Sequence, residues 1–183
     1  MNITQTKLPG VLVIEPKVFL DPRGFFLETW NSERYADLSI PRNFVQDNLS
    51  KSARGVLRGL HFQNPNPQGK LVYVIEGEIF DVAVDIRIGS PSYGKSESVI
   101  LSGDNKKQFY VPPGLAHGFC VLSETVIVAY KVTDLYNPKA ECSLMWNDPD
   151  LAIDWPIDHP ILSSKDKEAP CLKDIPPNRL LKY

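Results

Sequence analysis

Val56-Leu57-Arg58-Gly59-Leu60-His61-Phe62-Gln63, followed by a proline-rich loop and then Gln68-Gly69-Lys70, is the stretch around which the chain is organised. A short apolar strand carries Arg58 and His61 and leads to Lys70, so a titratable imidazole and two cations lie close together in sequence. Imidazole has an unperturbed pKa of about 6.5 and exchanges protons near neutrality. Lys70 and Arg58 suit an anionic ligand or a developing oxyanion. The competing reading of the same segment is a histidine satisfied inside a core, flanked by surface charges. Regular alternation points Arg58 and His61 to opposite faces, so a bulge near Gly59 is required if both are to reach one ligand.

Outward on the C-terminal side, Leu71 to Ile75 and Ile79 to Ile86 are the clearest strands, rich in Val and Ile and joined by Glu76-Gly77 in the manner of a hairpin. In the second strand Asp81, Ala83 and Asp85 share a face opposite Phe80, Val82 and Val84, so Asp81 either lines a polar interior or is solvated. Pro91 to Gly94 reads as a loop, Glu97 to Ser102 and Gln108 to Val111 as strands, and Pro112 to His117 as a tight turn into a strand over Gly118 to Leu122. Thr125 to Thr133 follows, with Val126, Val128, Tyr130 and Val132 on one face; the Tyr130 hydroxyl is either paired within a core or directed at a ligand. From Asp134 onward prolines and polar residues predict loops and short turns covering a barrel, anchored by Trp146 and Trp155. Ser163 reads as a helix N-cap with Asp166 three residues later, which offers Asp166 a capping role.

Outward on the N-terminal side, Val11 to Phe19 divides around Pro16 into two extended pieces, Asp21 to Gly24 makes a turn, and Phe25 to Trp30 predicts a strand with Phe26, Glu28 and Trp30 on one face. Asn31 to Leu38 predicts a short helix ended by Pro41. Asn43 to Leu49 resumes extended structure, with Gln46 and Asn48 on one face and Asp47 on the other; the two amides either read a base edge or hydroxyls, or form an exposed polar face. Many short strands with frequent Pro and Gly turns indicate an all-β protein, a β-sandwich or jelly roll of the ligand-holding cupin type.

The composition narrows the function. The 183 residues fit one domain, residues 1–183, with a proper core. Twenty Lys and Arg against 22 Asp and Glu argue against a general nucleic-acid or anionic-membrane binder. Cys120, Cys142 and Cys171 are odd in number and form no CxxC pair, which fits a reducing cytoplasm. The first ten residues do not read as an export signal, and apolar runs fall short of the roughly 18 residues of a membrane span.

Cupins commonly hold a metal through an HxH pair, a glutamate, and a histidine after PxGxxH. Pro112, Gly114 and His117 match the last motif, but Gln63 stands where the second histidine of the pair would be, and Asn64 to Lys70 contains no glutamate. Transition metals favour several imidazole ligands, and the chain has only His61, His117 and His159. Metal-free acid-base chemistry, with no cofactor, is the expectation.

Asp-Pro-Arg-Gly-Phe-Phe-Leu-Glu at 21–28, Phe-Val-Gln-Asp-Asn at 44–48, the opening strand at 56–63, Gln-Gly-Lys-Leu at 68–71, Phe-Asp-Val-Ala-Val-Asp at 80–85, Ala-His-Gly-Phe at 116–119, Tyr-Lys at 130–131 and Lys-Asp at 165–166 form a specific series. With it the chain resembles the dTDP-4-dehydrorhamnose 3,5-epimerase family, a metal-free branch of the cupins, from about Glu15 to Asp166. The resemblance implies a general base, His61, oriented by Asp166, with Tyr130 as general acid on the opposite face of the sugar. It assigns Lys70 to the C4 oxygen and Tyr136 to the wall of the site. For the nucleotide it implies Arg23, Phe26, Glu28, Gln46, Asp47, Asn48, Arg58, His117, Glu141 and Lys165. It implies a dTDP-sugar as substrate and a homodimer with exchanged N-terminal strands, so that Arg23, Phe26 and Glu28 serve the partner's site.

Overall fold

The computed structural model describes residues 1–38, 40–41 and 43–183. In chain order the elements are β1 (Asn2–Gln5), β2 (Leu12–Glu15), β3 (Val18–Asp21), β4 (Gly24–Leu27), α1 (Ser32–Ala36), β5 (Gln46–Ala53), β6 (Leu57–Gln63), β7 (Lys70–Glu76), β8 (Glu78–Asp85), β9 (Ser96–Ser102), β10 (Gln108–Val111), β11 (Leu115–Val121), β12 (Thr125–Val132), β13 (Glu141–Ser143) and α2 (Ser164–Lys167). A six-stranded sheet, β1-β2-β10-β7-β12-β5, faces a five-stranded sheet, β13-β6-β11-β8-β9, and β3 pairs with β4 apart from both. This is the cupin-like β-sandwich that the strand pattern predicts.

Period-2 alternation sorts the apolar side chains into three layers. Val72, Val74, Phe109, Val126 and Val128 of the first sheet meet Ile79, Ala83, Leu115, Phe119 and Val121 of the second in the sandwich interior. On the outer side of the second sheet Val82, Val84, Ala116 and Cys120 lie under Leu144, Leu151, Trp155, Leu172, Ile175 and Leu180. The proline-rich C-terminal stretch is therefore a cover with a core of its own, and β8 is buried on both faces. A third layer packs Leu12, Ile14, Leu71 and Tyr110 against Tyr35 and Ile40. Each fully buried Val, Leu or Phe side chain contributes roughly 1.5–3 kcal/mol.

Several boundaries differ from the sequence expectation. Glu76-Gly77 does not close a hairpin: β7 pairs with β10 and β12, and β8 with β11 and β9, so the chain turns a corner from one sheet into the other. Gly77 is needed there because its φ is +83° and a Cβ would lie 2.2 Å from the Thr125 carbonyl oxygen. His117 lies within a strand rather than a turn, since β11 begins at Leu115, directly after Gly114 at φ +92°. The strand after the Asp21–Gly24 turn stops at Leu27, short of Glu28 and Trp30. Helix α1 ends at Ala36, with the Asn31 side chain accepting from the Glu33 and Arg34 N–H groups. Extended structure after α1 begins as a strand at Gln46 and runs to Ala53. β1 and β13 are additions that their short, weakly apolar sequences do not announce. Among the described residues no helix is long and apolar enough to cross a membrane.

Candidate active site

The inner faces of the two sheets part at one end around a cavity of about 600 Å³. It is lined by Gln46, Asn48, Arg58, His61, Lys70, His117, Tyr130, Tyr136, Glu141, Lys165 and Asp166, eleven of the predicted positions drawn from both sheets and the cover. His61 projects from β6 in the second sheet, and Lys70 and Tyr130 project from β7 and β12 in the first. A ligand between the sheets is thus approached by the imidazole from one side and by the phenol and ammonium from the other.

The bulge that would bring Arg58 and His61 together is present. Along β11 the partners His117 and Phe119 are two residues apart, whereas their partners on β6, His61 and Arg58, are three apart. The extra residue lies in Gly59-Leu60, with Gly59 at φ +125°. It leaves Arg58 and His61 on the cavity side while Leu57, Leu60 and Phe62 pack into the outer layer. Arg58 Nε donates to Ser52 Oγ of β5 at 3.0 Å, which fixes the guanidinium across the cleft.

His61 Nε2 lies 2.6 Å from Asp166 Oδ1. With the carboxylate accepting from Nε2–H, the lone pair is on Nδ1, the nitrogen left for proton transfer. Asp166 also accepts from Ser163 Oγ at 2.9 Å through Oδ2 and from the Gly59 N–H. Burial works against its ionisation, but the bonds from His61, Ser163 and Gly59 together hold its carboxyl below the usual range. The capping expectation is corrected in one detail: Ser163 Oγ caps the Asp166 N–H at 3.1 Å, and the Asp166 carboxylate is directed to His61.

A second histidine–carboxylate pair lies beside the first. His117 is the cross-strand partner of His61, and its Nε2 is 2.7 Å from Asp81 Oδ1. Asp81 is fully buried, which settles its open alternative in favour of the interior. Burial pushes the His117 imidazole down despite the opposing Asp81 charge and hydrogen bond, which favours its neutral form. Lys70 Nζ donates to the His61 carbonyl at 3.3 Å. Burial lowers its ammonium to about 8, while the negative charges of Asp81 and Glu141 oppose the fall. Burial raises the Tyr130 phenol, which keeps it protonated at neutrality, with the nearby Arg58 charge moderating the rise. At the mouth Glu141 bonds both Lys165, at 2.5 Å, and the Tyr136 hydroxyl, at 2.8 Å. Burial raises the Glu141 carboxyl, but these two contacts outweigh it and leave the group below its ordinary value. The hydrogen bond to Glu141 in turn pushes the Tyr136 phenol up.

Four predicted positions lie away from the cavity. Asp47 points, as the alternation requires, to the opposite face of β5 from Gln46 and Asn48 and pairs with Lys131 at 2.8 Å. Arg23 is 90% exposed and pairs with Asp21, Phe26 is 69% exposed beside Phe19, and Glu28 pairs with Arg34, all on or next to the detached β3–β4 hairpin. Residues outside the predicted site set also shape the site. Asp81 holds His117, Ser163 holds Asp166, Ser52 holds Arg58, and Gln63 ties two loops at the mouth. The available signal was the alternation of β8, which puts Asp81 and Asp85 on the face opposite Phe80, Val82 and Val84.

A family profile described as dTDP-4-dehydrorhamnose 3,5-epimerase matches residues 5–174. The chain is 52% identical over 176 residues to dTDP-4-dehydrorhamnose 3,5-epimerase of Salmonella typhimurium, covering 94% of this chain and 96% of the relative. It is 50% identical over 175 residues to the enzyme of that name from Methanothermobacter thermautotrophicus, covering 94% and 95%. A crystal structure of dTDP-6-deoxy-D-glucose-3,5-epimerase from Legionella pneumophila, in complex with dTDP-4-keto-L-rhamnose, superposes with a TM-score of 0.97 at 52% identity, covering 100% of this chain and 98% of that one. Fold and sequence agree along nearly the full length of the molecule, and the chain belongs to the dTDP-4-dehydrorhamnose 3,5-epimerase family.

Proposed function

We propose that the protein inverts C3 and C5 of dTDP-4-dehydro-6-deoxy-D-glucose to give dTDP-4-dehydro-L-rhamnose, as a step in dTDP-L-rhamnose supply. The observation that carries this reading is the placement of His61, paired to Asp166, on one sheet and of Tyr130 and Lys70 on the facing one, around a single cavity. In a 4-keto sugar the C3 and C5 protons both flank the carbonyl, so one carbonyl acidifies each in turn. His61 Nδ1 removes the proton, the negative charge moves onto the C4 oxygen, and Lys70 stabilises it there. Tyr130 then delivers a proton to the opposite face of the same carbon, and exchange with solvent resets both groups. The second carbon follows by the same steps.

Arg58, His117 and Lys165, with Asn48 and Gln46, surround the part of the cavity left for the dTDP moiety, and the guanidinium suits bidentate contact with phosphate. Gln46 brings one constraint: its Nε2 donates to Asn48 Oδ1 at 2.8 Å and its Oε1 accepts from Tyr136 N at 2.9 Å, which leaves one amide proton for a base edge. The functional unit in this reading is one domain working as a cytoplasmic homodimer, in which Arg23, Phe26 and Glu28 complete the partner's site. Its support is the hairpin itself, which stands apart from both sheets with Phe19, Leu20, Phe25 and Phe26 exposed.

The test is proton NMR of the substrate incubated with the protein in D2O, following C3 and C5 separately. Deuterium at both positions with formation of the L-lyxo product is expected. Exchange at one position alone would make this a single-position epimerase, and exchange at neither would remove His61 and Tyr130 as a working pair. His61→Ala is expected to lower turnover by about 10²- to 10⁴-fold with dTDP affinity retained in calorimetry.

A further inference from the structure

Ser52 and Arg58 stand on either side of the corner at which the chain leaves one sheet for the other. β5 ends at Ala53 in the first sheet and β6 begins at Leu57 in the second, so the bond from Arg58 Nε to Ser52 Oγ at 3.0 Å crosses between facing sheets. Backbone bonds hold the corner itself from two sides. The Arg54 N–H donates to the Glu124 carbonyl at 2.9 Å and the Gly55 N–H to that of Val121 at 3.1 Å. From the cover, the Ile161 N–H donates to the Gly55 carbonyl at 2.7 Å, and the Ile161 carbonyl accepts from the Leu57 N–H at 3.1 Å. Ser52 is buried, whereas Arg58 is exposed at the cavity. The frame therefore sets where both residues start, and the serine hydroxyl sets where the long, otherwise mobile arginine side chain ends. Because a guanidinium is planar, holding Nε also fixes its plane, and the edge formed by the two terminal nitrogens is what remains for a ligand.

We propose that Ser52 is a positioning residue for diphosphate recognition: it orders Arg58 before the ligand arrives, so that the terminal guanidinium nitrogens are already presented to a phosphate group. This rests on the reading above, in which Arg58 serves the dTDP moiety. Ordering one rotamer-rich side chain on binding costs about 3- to 10-fold in affinity, and a side chain ordered in advance escapes most of that cost. Once ligand is bound, the phosphate itself holds the guanidinium. The loss of Ser52 therefore falls on binding, and the rate of bound substrate is spared.

The experiment compares wild type with Ser52→Ala, Arg58→Met and the double variant, measuring dTDP and thymidine affinity by calorimetry and kcat and KM for the 4-keto sugar nucleotide. Ser52→Ala is expected to bind dTDP about 3- to 10-fold more weakly and thymidine as wild type does. KM should rise with the dTDP dissociation constant while kcat stays within about threefold. In the Arg58→Met background, removing the Ser52 hydroxyl should cost no further dTDP affinity, because no guanidinium is left to order. Ser52→Cys, which nearly keeps the volume but accepts hydrogen bonds weakly, is expected to match Ser52→Ala and decides the matter if that variant does not fold. Unchanged dTDP affinity in a folded variant, an equal loss for thymidine, or an undiminished loss in the Arg58→Met background overturns the proposal. Wild type failing to bind dTDP at all would remove the nucleotide reading itself, and the role of Ser52 with it.

Discussion

Lys70 carries the tightest electrostatic constraint in the site. It serves the C4 oxygen only as an ammonium, yet burial has brought it to about 8, and the charges of Asp81 and Glu141 are what keep it from falling further. The sign of the alkaline pH dependence follows: kcat/KM declines as pH rises through about 8 and Lys70 loses its proton. Lys70→Ala is expected to lower kcat by about 10²- to 10³-fold, the range for losing one oxyanion donor. In Lys70→Arg, whose guanidinium stays charged, that alkaline decline should vanish at a reduced plateau. Asp81→Asn removes one of the two anions that favour the charged amine, so the decline should move to lower pH. A pH–rate profile of the variant that superposed on wild type would show that Asp81 acts only on His117.

Among the elements, β6 holds the site together through one irregularity. The bulge turns Arg58 and His61 to the same side, and the N–H of its glycine bonds Asp166. Gly59 and Gly118 pack backbone against backbone: a Cβ on Gly59 would lie 2.6 Å from Gly118 Cα and 2.9 Å from the His117 carbonyl oxygen. Backbone atoms on a paired strand cannot move aside as the tip of a side chain can. Gly59→Ala is therefore expected to cost at least about 1–3 kcal/mol from φ strain alone, read as a lower urea midpoint, and to depress turnover even where the fold survives. An unaltered midpoint would mean that β6 and β11 can separate without cost. Alternation in the sequence was enough to require this bulge, because Arg58 and His61 otherwise diverge. It was not enough to pair β7 with its true neighbours, since a two-residue Gly link is compatible with both a hairpin and a sheet-to-sheet corner.

For the whole molecule, the consequential proposal is the sharing of sites between two copies. If Arg23 of one copy completes the cavity of the other, then Arg23→Ala and His61→Ala homodimers are both impaired, while a mixed dimer contains one site with an intact His61 and an intact Arg23. Co-refolding the two variants is expected to recover activity well above the sum of the separate preparations. Recovery absent from a preparation shown to contain mixed dimers would confine Arg23 to a role within its own chain, where it pairs with Asp21. Analytical ultracentrifugation of wild type supplies the accompanying mass.

The division between what was legible in the chain and what was not follows from the range of the interactions. Most of the strands, the all-β class, the shared face of Gln46 and Asn48, the face that carries Tyr130, and the Ser163 cap are properties of a few neighbouring residues, and period-2 alternation and capping chemistry record them locally. The family motifs added the roles of His61, Lys70 and Asp166, which spacing alone left balanced against a core histidine, surface charges and a helix cap. Only the tertiary structure could show that Asp81 lies behind His117 rather than in solvent, that the corner at Gly77 sends β7 and β8 into different sheets, and that the short β13 brings Glu141 opposite Gln63. Those facts depend on contacts between residues tens of positions apart, where a buried carboxylate is stabilised by a partner on another strand that the alternation of its own strand does not reveal.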